Sequence, residues 1–479
     1  MRATPTRISH VVAAGAGDRS PVYLNSGGGA SLSRAGLAAA ATRWSRWADS
    51  GSPDVIGLAV RDPVRFAGAY LGLLAAGATV APLDPQAPPE VQAGDIAELG
   101  VTTLITDAAA GLAGPEIGSG GGTRRHRPGG GAVLLRSSGS TGPRKIISLS
   151  ERQLLHVAAA VAGAHRLGPA DVGYSPLPLF HVNAEVVGVL ATLLSGGRLV
   201  LVERFSRAGL WTDLEAHRVT WLNAVPAILA ILAQDGEPGA ARPPGAGRLR
   251  FARSASAPLP PAVLARFERA YGVPVVETYG MTEAASQICA NPLDGPRKPG
   301  SVGRPVAVSL QVRDEHGRPV PAGALGQVHL RGPGVIRGPL PGGWLATGDL
   351  GHLDEDGYLF LTGRESEVIN RGGEKLFPRD IEDVLAGDAR VAAVAVVAEP
   401  DAVLGQVPVA YVCAQQPGLA AGDLAGDLRR RCERLLPRPR RPRTIFVVDA
   451  LPHGGTGKVS RRLVREQAPA LAADATAAA

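Results

Sequence analysis

Residues 134–145 of the chain read LLRSSGSTGPRK, an apolar run that passes into a loop of hydroxyl residues and glycines and ends in a lysine. Glycines let backbone N–H groups turn toward one point, and hydroxyls add donors, so such a loop can cradle a polyphosphate. The segment is not the G-x-x-x-x-G-K-[ST] loop, which would need Gly at Arg144 and Ser or Thr at Ile146. A flexible Ser/Gly linker is the alternative, and this segment alone does not decide between the two.

Lysine usage sets this segment apart from the rest of the chain. Of the 50 Lys and Arg residues, only four are lysines, namely Lys145, Lys298, Lys375 and Lys458. Lys145 closes the loop just described, and Lys458 closes a second glycine-rich turn at 454–458. An ammonium is a compact point charge and a guanidinium is a planar fork, so the two are not interchangeable. Both lysines are therefore candidate point-charge sites.

Composition limits the class of protein. With 479 residues, 45% hydrophobic and 19% charged, the chain is long enough for about two to four globular domains. The net charge is +7, but the dense basic run at 429–443 contains no aromatic residues of the kind that stack on single-stranded nucleic acid. We therefore expect no nucleic-acid partner. The run is either a solvated surface or a contact for the phosphates of a small ligand.

Cysteine usage and apolar patterning indicate the compartment. Cys289, Cys413 and Cys432 show no CxxC spacing, so we expect reduced, mostly buried thiols and neither a disulfide framework nor a zinc site. The apolar region 186–202 is interrupted by glycines and an arginine, which argues against a membrane span. Residues 1–17 lack the continuous apolar stretch of a signal peptide. Together these features predict a cytoplasmic protein.

Alternating helical and strand-like patterns predict an α/β fold with a largely parallel sheet. Residues 37–47 and 64–76 have helical spacing, whereas 55–60 and 79–82 have the composition of buried strands.

The pattern then changes along the chain. A second α/β run extends over 153–276, and short strands and turns dominate 300–361, which predicts a small β-rich module. A compact α/β pattern follows residue 363. The alanine-rich end, 469–479, is predicted to be a frayed tail.

Several short motifs follow one another in the second half of the chain. YGMTE (279–283) comes after a predicted strand at 273–277 and offers an aromatic face, a hydroxyl and a carboxylate. TGD (347–349) is predicted to place Asp349 in a tight turn, where it can accept hydrogen bonds from a pair of hydroxyls. Each motif taken alone is equally compatible with an ordinary strand end or turn. They are followed by Gly363-Arg364, Asn370 to Lys375 and Gly457-Lys458.

These motifs, together with the phosphate loop and Phe180-His181, resemble those of a known superfamily in type, order and separation. It is the adenylate-forming superfamily of acyl-CoA synthetases, carrier-loading adenylation domains and luciferases. The resemblance covers essentially the whole chain. It implies an α/β protein with a large N-terminal domain (1–363) of two α/β subdomains plus a small β-rich module. It also implies a hinge at 364–366, including Ser366, and a small mobile α/β C-terminal domain (367–479) that carries Lys458.

The resemblance further implies a role for each matched residue. Tyr279 would stack on the adenine of ATP, Thr282 would contact the α-phosphate, and Glu283 would hold Mg²⁺. Asp349, helped by Arg364, would bind the ribose hydroxyls. The loop that would wrap the β- and γ-phosphates consists of Ser137, Ser138, Gly139, Ser140, Thr141, Gly142 and Lys145.

The implied chemistry needs these residue types. A carboxylate is a poor electrophile and repels a triphosphate, so Mg²⁺ and Lys458 would neutralise the charge that meets at the α-phosphorus. The attack gives an acyl-adenylate and pyrophosphate. The family then rotates its C-terminal domain, and a thiol channel near Gly372, Gly373 and Glu374 admits the pantetheine thiol of CoA, which displaces AMP.

The acyl pocket is predicted to be polar, which favours a small or functionalised acid over a long fatty chain. Residues 291–303 and 369–375 are similar to those of oxalate–CoA ligases, but the histidines of those enzymes are missing near Asn183 and Ser286, which argues against oxalate itself. Glu185 is expected to point to solvent, with pairing to a substrate amine as the alternative. The pocket is predicted to comprise His181, which stands at its junction with the nucleotide, and Asn183, Glu185, Ser254, Ser256, Ser286 and Gln287.

Two other hypotheses remain open from the sequence. The acceptor could be a phosphopantetheinyl carrier protein, an amine or another nucleophile in place of CoA. The protein could also be a non-catalytic nucleotide-binding scaffold, which departures from the family pattern at Ile146 and Ser366 favour and the retained Lys458 opposes. A homodimer is an expectation by analogy only.

Overall fold

The computed structural model describes residues 5, 7–25, 30–49, 55–111, 114–115, 131–136, 145–234, 243–415, 421–452, 459–473 and 475–478. The predicted phosphate-loop residues Ser137 to Gly142 and the predicted catalytic Lys458 lie outside these residues.

The described chain forms two compact units with the predicted mixed α/β character. The first unit comprises Met1–Ser137, Lys145–Ser309 and Arg331–Leu345. The second comprises Ser138–Arg144, Leu310–Leu330 and Ala346–Ala479, so the β-rich module is grouped mainly with the C-terminal residues. The grouping differs from the predicted division at 364–366, and the hinge itself stays a prediction.

The first unit contains nine α-helices and sixteen strands among its described residues. Its α-helices are α1 (Ile8–Ala14), α2 (Arg34–Asp49), α3 (Pro63–Ala75), α4 (Pro89–Leu99), α5 (Glu151–Ala164), α6 (Ala191–Ser195), α7 (Arg207–Ala216), α8 (Pro226–Ala233) and α9 (Pro261–Tyr271). Its strands are β1 (Pro21–Asn25), β2 (Ser31–Ser33), β3 (Ile56–Ala59), β4 (Thr79–Pro82), β5 (Thr103–Thr106), β6 (Ala110–Gly111), β7 (Gly114–Pro115), β8 (Ala132–Arg136), β9 (Ile146–Ser150), β10 (Val172–Ser175), β11 (Arg198–Leu201), β12 (Trp221–Ala224), β13 (Phe251–Ser254), β14 (Val275–Met281), β15 (Ser286–Ala290) and β16 (Arg304–Pro305).

Two sheets organise the first unit. One has nine strands in the order β16-β15-β14-β13-β12-β10-β11-β1-β2, and the other has five in the order β5-β3-β4-β8-β9. The neighbours from β14 through to β1 are parallel, as the alternating pattern predicts, and antiparallel pairs lie at the edges. Parallel strands end at a common edge of the sheet, so the last residues of the neighbouring strands β12, β13 and β14 lie close together.

Local sequence explains why the predicted helices form where they do. Helix α3 begins at Asp62, whose carboxylate accepts the N–H groups of Val64 and Arg65, with Pro63 in the first turn. It packs on α2 through Gly72, where a Cβ would lie 2.4 Å from the indole of Trp44. Glycine there allows the two helices to approach closely.

The second unit contains two sheets. Its strands are β17 (Ser309–Arg313), β18 (Gly326–Arg331), β19 (Leu345–Leu353), β20 (Leu359–Arg364), β21 (Ile369–Arg371), β22 (Glu374–Leu376), β23 (Val391–Asp401), β24 (Gly405–Ala414), β25 (Ile445–Val447) and β26 (Thr476–Ala478). Strands β17 to β20 form a four-stranded sheet, and β21 to β26 form a six-stranded sheet. The α-helices are α10 (Pro378–Ala386), α11 (Ala421–Leu435) and α12 (Arg461–Ala473).

The six-stranded sheet has an apolar core on each face. Along β24, Ala410 and Val412 pack with Leu428 of α11, whereas Val409 and Tyr411 pack in the cluster that includes Val464 of α12. This alternation follows from the two-residue period of a strand.

The prediction of a frayed tail at 469–479 is wrong. Helix α12 extends to Ala473, and β26 pairs antiparallel with β25, where Ala477 lies opposite Phe446. Apolar contacts that include Leu471 hold the segment against the sheet. The composition of the tail does not show that β25 lies beside it and can pair with it.

The three cysteines are buried free thiols, as predicted. Among the described residues, no helix combines the length and the apolar character needed to cross a bilayer.

Candidate active site

The YGMTE motif lies at the junction of β14 and β15. The sequence prediction placed Tyr279 after the end of this strand. Strand β14 in fact continues to Met281, so Tyr279 is a buried residue within the strand. At Gly280 a Cβ would lie 1.8 Å from the carbonyl oxygen of Ser286, so only glycine fits between these antiparallel strands.

Thr282 and Glu283 form a single turn of 3-10 helix after β14. The Glu283 carbonyl accepts the N–H of Ile336 at 2.8 Å, and its carboxylate side chain is half-buried. Mg²⁺ in nucleotide sites usually takes one or two protein carboxylates together with substrate phosphates. Glu283 fits that donor requirement. The described residues contain no cluster of three or more His, Cys, Asp or Glu side chains that could hold a metal by themselves.

The predicted ribose site belongs to the second unit. Asp349 is buried and lies opposite Arg364 across the antiparallel pair β19–β20. The Arg364 Nε donates to the Asp349 carboxylate at 3.1 Å. Asp349 lies inside strand β19 and not in the predicted tight turn. Its N–H donates to Thr347 Oγ1, and Thr347 in turn donates to the carbonyl of Val328.

The other matched positions of the first unit are partly exposed. His181 is half-buried beside Phe180, with the ring centroids 4.5 Å apart, and Lys145 is exposed at the start of β9.

Two of the predicted acyl-pocket residues, Asn183 and Gln287, contact an arginine that sequence reasoning missed. Arg253, in the middle of β13, is 1% exposed. Its Nη1 donates to the amide oxygens of Asn183 and Asn223, both at 3.0 Å. Its Nε and Nη2 donate to the Gln287 Oε1 at 3.4 and 3.3 Å. We call these four residues the Arg253 cluster. The sequence did hold a signal for this residue. Central strands of a parallel sheet are normally apolar throughout, so an arginine within such a strand indicates a special role.

Two side chains extend the cluster. Asn183 Nδ2 donates to Ser256 Oγ at 3.3 Å, and His165 Nε2 lies 3.2 Å from the Gln287 Oε1. Burial first, and then the charge of Arg253, lower the pKa of His165 to about 3. His165 is therefore neutral at physiological pH. Burial also lowers the pKa of Arg253, to about 9, which leaves the guanidinium charged at neutral pH.

Backbone conformation around the cluster is unusual. Ser256 has a φ of 79° and Ser286 a φ of 100°, both in the left-handed region that side chains other than glycine rarely adopt. Such conformations cost of order 1–3 kcal/mol each and concentrate at functional sites. Two predicted pocket residues thus carry backbone strain.

Asn183 belongs to a π-helix. Residues Asn183–Leu190 form eight residues of π-helix, a rare geometry that is often associated with functional sites. Glu185 lies in this helix and is completely buried, so the expectation that it points to solvent is wrong. Its Oε2 accepts a hydrogen bond from the Tyr70 hydroxyl at 3.4 Å.

Burial raises the pKa of Glu185 to about 8, an effect that the Tyr70 hydrogen bond opposes. The group is therefore largely protonated at neutral pH and brings no negative charge to the pocket. A neutral carboxylic acid is also a poor partner for a substrate ammonium, which removes the reason for the alternative role.

The predicted hinge and thiol-channel residues are exposed in the second unit. Ser366 lies in a 3-10 turn that follows β20. Gly372 and Gly373 have φ values of 57° and 88° and form the turn between β21 and β22, and Glu374 begins β22.

The basic run at 429–443 is held largely by protein partners. Arg429 pairs with Glu433, Arg440 with Asp380, and Arg443 with Asp401. Arg431 and Arg441 donate to backbone carbonyls. These contacts favour a structural surface over a phosphate site.

Comparison with known proteins places these features in a family. The profile of the AMP-binding enzymes matches residues 10–339, and that of the AMP-binding enzyme C-terminal domain matches residues 380–458. The ATP-bound crystal structure of MatB from Rhodopseudomonas palustris has a TM-score of 0.82 at 25% identity, covering 96% of this chain and 98% of that chain.

Two ligases are similar in sequence. The sulfoacetate–CoA ligase of Cupriavidus necator is 41% identical over 342 residues, which are 69% of this chain and 66% of that protein. The oxalate–CoA ligase of Arabidopsis thaliana is 35% identical over 357 residues, 71% of this chain and 68% of that protein. The matched segment thus spans about two thirds of the length of these relatives. By the profile match, the order of its motifs and its α/β fold, the chain belongs to the AMP-binding enzymes of the adenylate-forming superfamily.

Proposed function

We propose that the protein activates a small carboxylic acid with ATP and Mg²⁺ and transfers the acyl group to CoA. The observation that carries this proposal is the similarity to ligases that join small acids to CoA, at 41% and 35% identity. The polar Arg253 cluster supports the same assignment, because a long fatty chain would favour an apolar pocket. Its polar side chains are those of Asn183, Asn223, Arg253 and Gln287.

The first half-reaction joins the acid to the α-phosphorus of ATP. A carboxylate oxygen of the acid forms a bond to the α-phosphorus, and the bond to the bridging oxygen breaks, so that pyrophosphate leaves. Glu283 would hold the Mg²⁺ that offsets the phosphate charge. Thr282 would bind the α-phosphate, His181 would stand between nucleotide and acid, and Lys458 would bridge the acid and the α-phosphate.

Three further roles concern the nucleotide. Tyr279 would present its ring to adenine, and Lys145 with the preceding loop would hold the terminal phosphates. Asp349 would accept from the ribose hydroxyls. Arg364 supports that role, because its hydrogen bond orients the Asp349 carboxylate.

The second half-reaction transfers the acyl group to sulfur. The CoA thiolate attacks the acyl carbon of the adenylate, AMP leaves, and a thioester remains. We assign the entry of the thiol to Gly372, Gly373 and Glu374, and domain movement to the hinge at Ser366. CoA is preferred to a phosphopantetheinyl carrier protein as acceptor because the similar proteins are CoA ligases. We further propose that the protein is cytoplasmic and forms a homodimer. Light scattering would test the dimer by measuring its molar mass in solution.

The decisive experiment measures pyrophosphate release with ATP, Mg²⁺ and a panel of small acids, with and without CoA. Acid-dependent release is expected in the wild-type protein and should fall by at least about 100-fold in Lys458→Ala, since catalytic charge stabilisation is worth several kcal/mol. Lys298→Ala, a lysine in another loop, is the control and should remain active. Release without thioester formation would favour a carrier protein. Absence of release with every acid, despite ATP binding, would favour the non-catalytic scaffold.

A further inference from the structure

The Arg253 cluster holds a positive charge that its own members do not neutralise. Asn183, Asn223 and Gln287, which accept from the guanidinium, are all neutral amides. Within the part of the chain that the structure describes, no carboxylate forms an ion pair with Arg253. His165 is neutral, as its lowered pKa shows, and contributes no counter-charge. An ion removed from water without an opposite charge is costly, so a purely structural role explains the residue poorly.

Hydrogen-bond capacity is also left over in the cluster. A guanidinium has five N–H donors, and the hydrogen bonds to the three amides use four of them. The Gln287 Nε2 is buried and has no hydrogen-bond partner among the described residues. Both groups are donors, and buried donors without acceptors are rare in folded proteins. Their missing partner is therefore an acceptor, and next to a guanidinium the best acceptor is an anionic oxygen.

The position of the cluster indicates which molecule supplies that oxygen. Asn183 begins the π-helix, and it is the most exposed of the three amide partners at 9%. It hydrogen-bonds to the half-buried Ser256, whose backbone is strained. A ligand that enters along Ser256 and Asn183 would meet the guanidinium last.

We propose that Arg253 is a specificity-determining residue that binds a second anionic group, a carboxylate or sulfonate, at the end of the acid remote from the reacting carboxylate. This inference rests on the proposed function, since it concerns the acid that the enzyme activates. It also bears on the argument against oxalate, which rested only on the histidines missing near Asn183 and Ser286.

The test compares acids of equal size that differ in charge. Sulfoacetate carries a second anion, and methylsulfonylacetate replaces one sulfonate oxygen by a methyl group and is neutral there. The wild-type enzyme is expected to prefer sulfoacetate by at least about 10-fold in kcat/KM, as is typical for a hydrogen-bonded charge pair. Arg253→Met should lower kcat/KM for sulfoacetate by about 100-fold, mainly through KM, and change the value for the sulfone by less than about 3-fold. Malonate and its monomethyl ester provide a second matched pair.

Two further variants make the result specific. Arg253→Lys keeps the charge but loses the fork, so it should retain part of the preference. Arg250→Met removes a partly exposed arginine of the same segment that pairs with Asp171, and it should leave the preference unchanged. Thermal stabilisation by sulfoacetate without ATP gives a readout that does not require turnover, and Arg253→Met should abolish it.

The outcomes separate this inference from the proposed function. If no acid releases pyrophosphate with the wild-type enzyme, the proposed function fails. If the wild-type enzyme activates acids without preferring a dianion, or if Arg253→Met weakens both members of a pair equally, the role of Arg253 is structural and the inference is overturned. Should Arg253→Met not fold, Arg253→Lys decides: loss of turnover with both acids alike would contradict the inference, and a reduced preference would support it.

Discussion

Two arginines, one in each unit, have opposite surroundings. Arg253 of the first unit contacts three neutral amides. Arg461, at the start of α12 in the second unit, donates to Glu382 at 2.9 and 2.6 Å and also pairs with Glu367. Burial lowers the pKa of both side chains, but at Arg461 the two carboxylates outweigh it and raise the pKa.

The difference separates a charge that holds the structure together from one that we propose binds a ligand. Arg461 is neutralised by its partners and ties α12 to residues 367 and 382 of the same unit. Arg253 is oriented by its partners but not neutralised, so its field extends to whatever enters the pocket. A count of basic residues does not distinguish the two, because the distinction lies in the charge of the partners.

The largest effect is expected from removing Arg461. Arg461→Met would leave Glu367 and Glu382 without their shared cation, and the free energy of unfolding should fall by about 3 kcal/mol. Urea denaturation measures the change. Arg462→Met is the matched control, since Arg462 is the next residue of α12 and forms an exposed pair with Glu466. Similar losses in the two variants would mean that the burial of the ion pair and its second carboxylate do not matter here.

A second change would give Arg253 the kind of partner that Arg461 has. Asn223→Asp places a carboxylate of nearly the same shape beside the Arg253 Nη1, so the guanidinium is neutralised from within. We expect KM for sulfoacetate to rise about 30-fold, equivalent to about 2 kcal/mol, with stability unchanged or increased. Asn223→Ala, which adds no charge, should affect sulfoacetate and its sulfone analogue alike. A preserved preference in Asn223→Asp would show that the charge of Arg253 does not recognise the acid.

The buried carboxyl of Glu185 is expected to make the stability of the folded protein depend on pH. Burial raises its pKa from 4.5 to about 8, so between these values the folded protein keeps a proton that the unfolded chain has lost. Its contribution is therefore fully present below pH 4.5 and is lost as pH rises through 8, by at most about 1.4 kcal/mol per pH unit. Glu185→Gln is always neutral and should lose less stability across this window. Parallel melting-temperature profiles of the variant and the wild type from pH 5 to 9 would contradict the prediction.

The smallest effect is expected in the basic run. Arg429 and Glu433 form an exposed pair one helical turn apart, and such pairs contribute about 0.3–0.5 kcal/mol. Arg429→Met should therefore change the free energy of unfolding by less than about 1 kcal/mol and leave the acid preference intact. A marked loss of CoA affinity in this variant would instead restore the hypothesis that the run contacts ligand phosphates.

Many elements could be predicted because their signals are local. Strand β4 is predicted and observed at residues 79–82, and α3 is marked by Asp62 and Pro63 at its start. The end of β14 was placed too early, since its continuation past Glu277 depends on pairing with β15. The strand in the tail after residue 469 was not predicted for the same reason, because its partner β25 lies in an earlier and separate part of the sequence. Several roles remain predictions, among them those of Lys458 and the 137–142 loop.

Residue type, periodicity and spacing are sufficient to predict the α/β class, the order of the motifs and thereby the family. Which polar side chains meet depends on how distant segments pack together. The residues of the Arg253 cluster come from four separate segments, and one nine-stranded sheet holds three of them: the parallel neighbours β12 and β13, and β15, which is antiparallel to β14. The four residues are Asn183, Asn223, Arg253 and Gln287. Burial and the charge of neighbours, which set the behaviour of Arg253 and Glu185, are properties of that arrangement and not of any local stretch of chain.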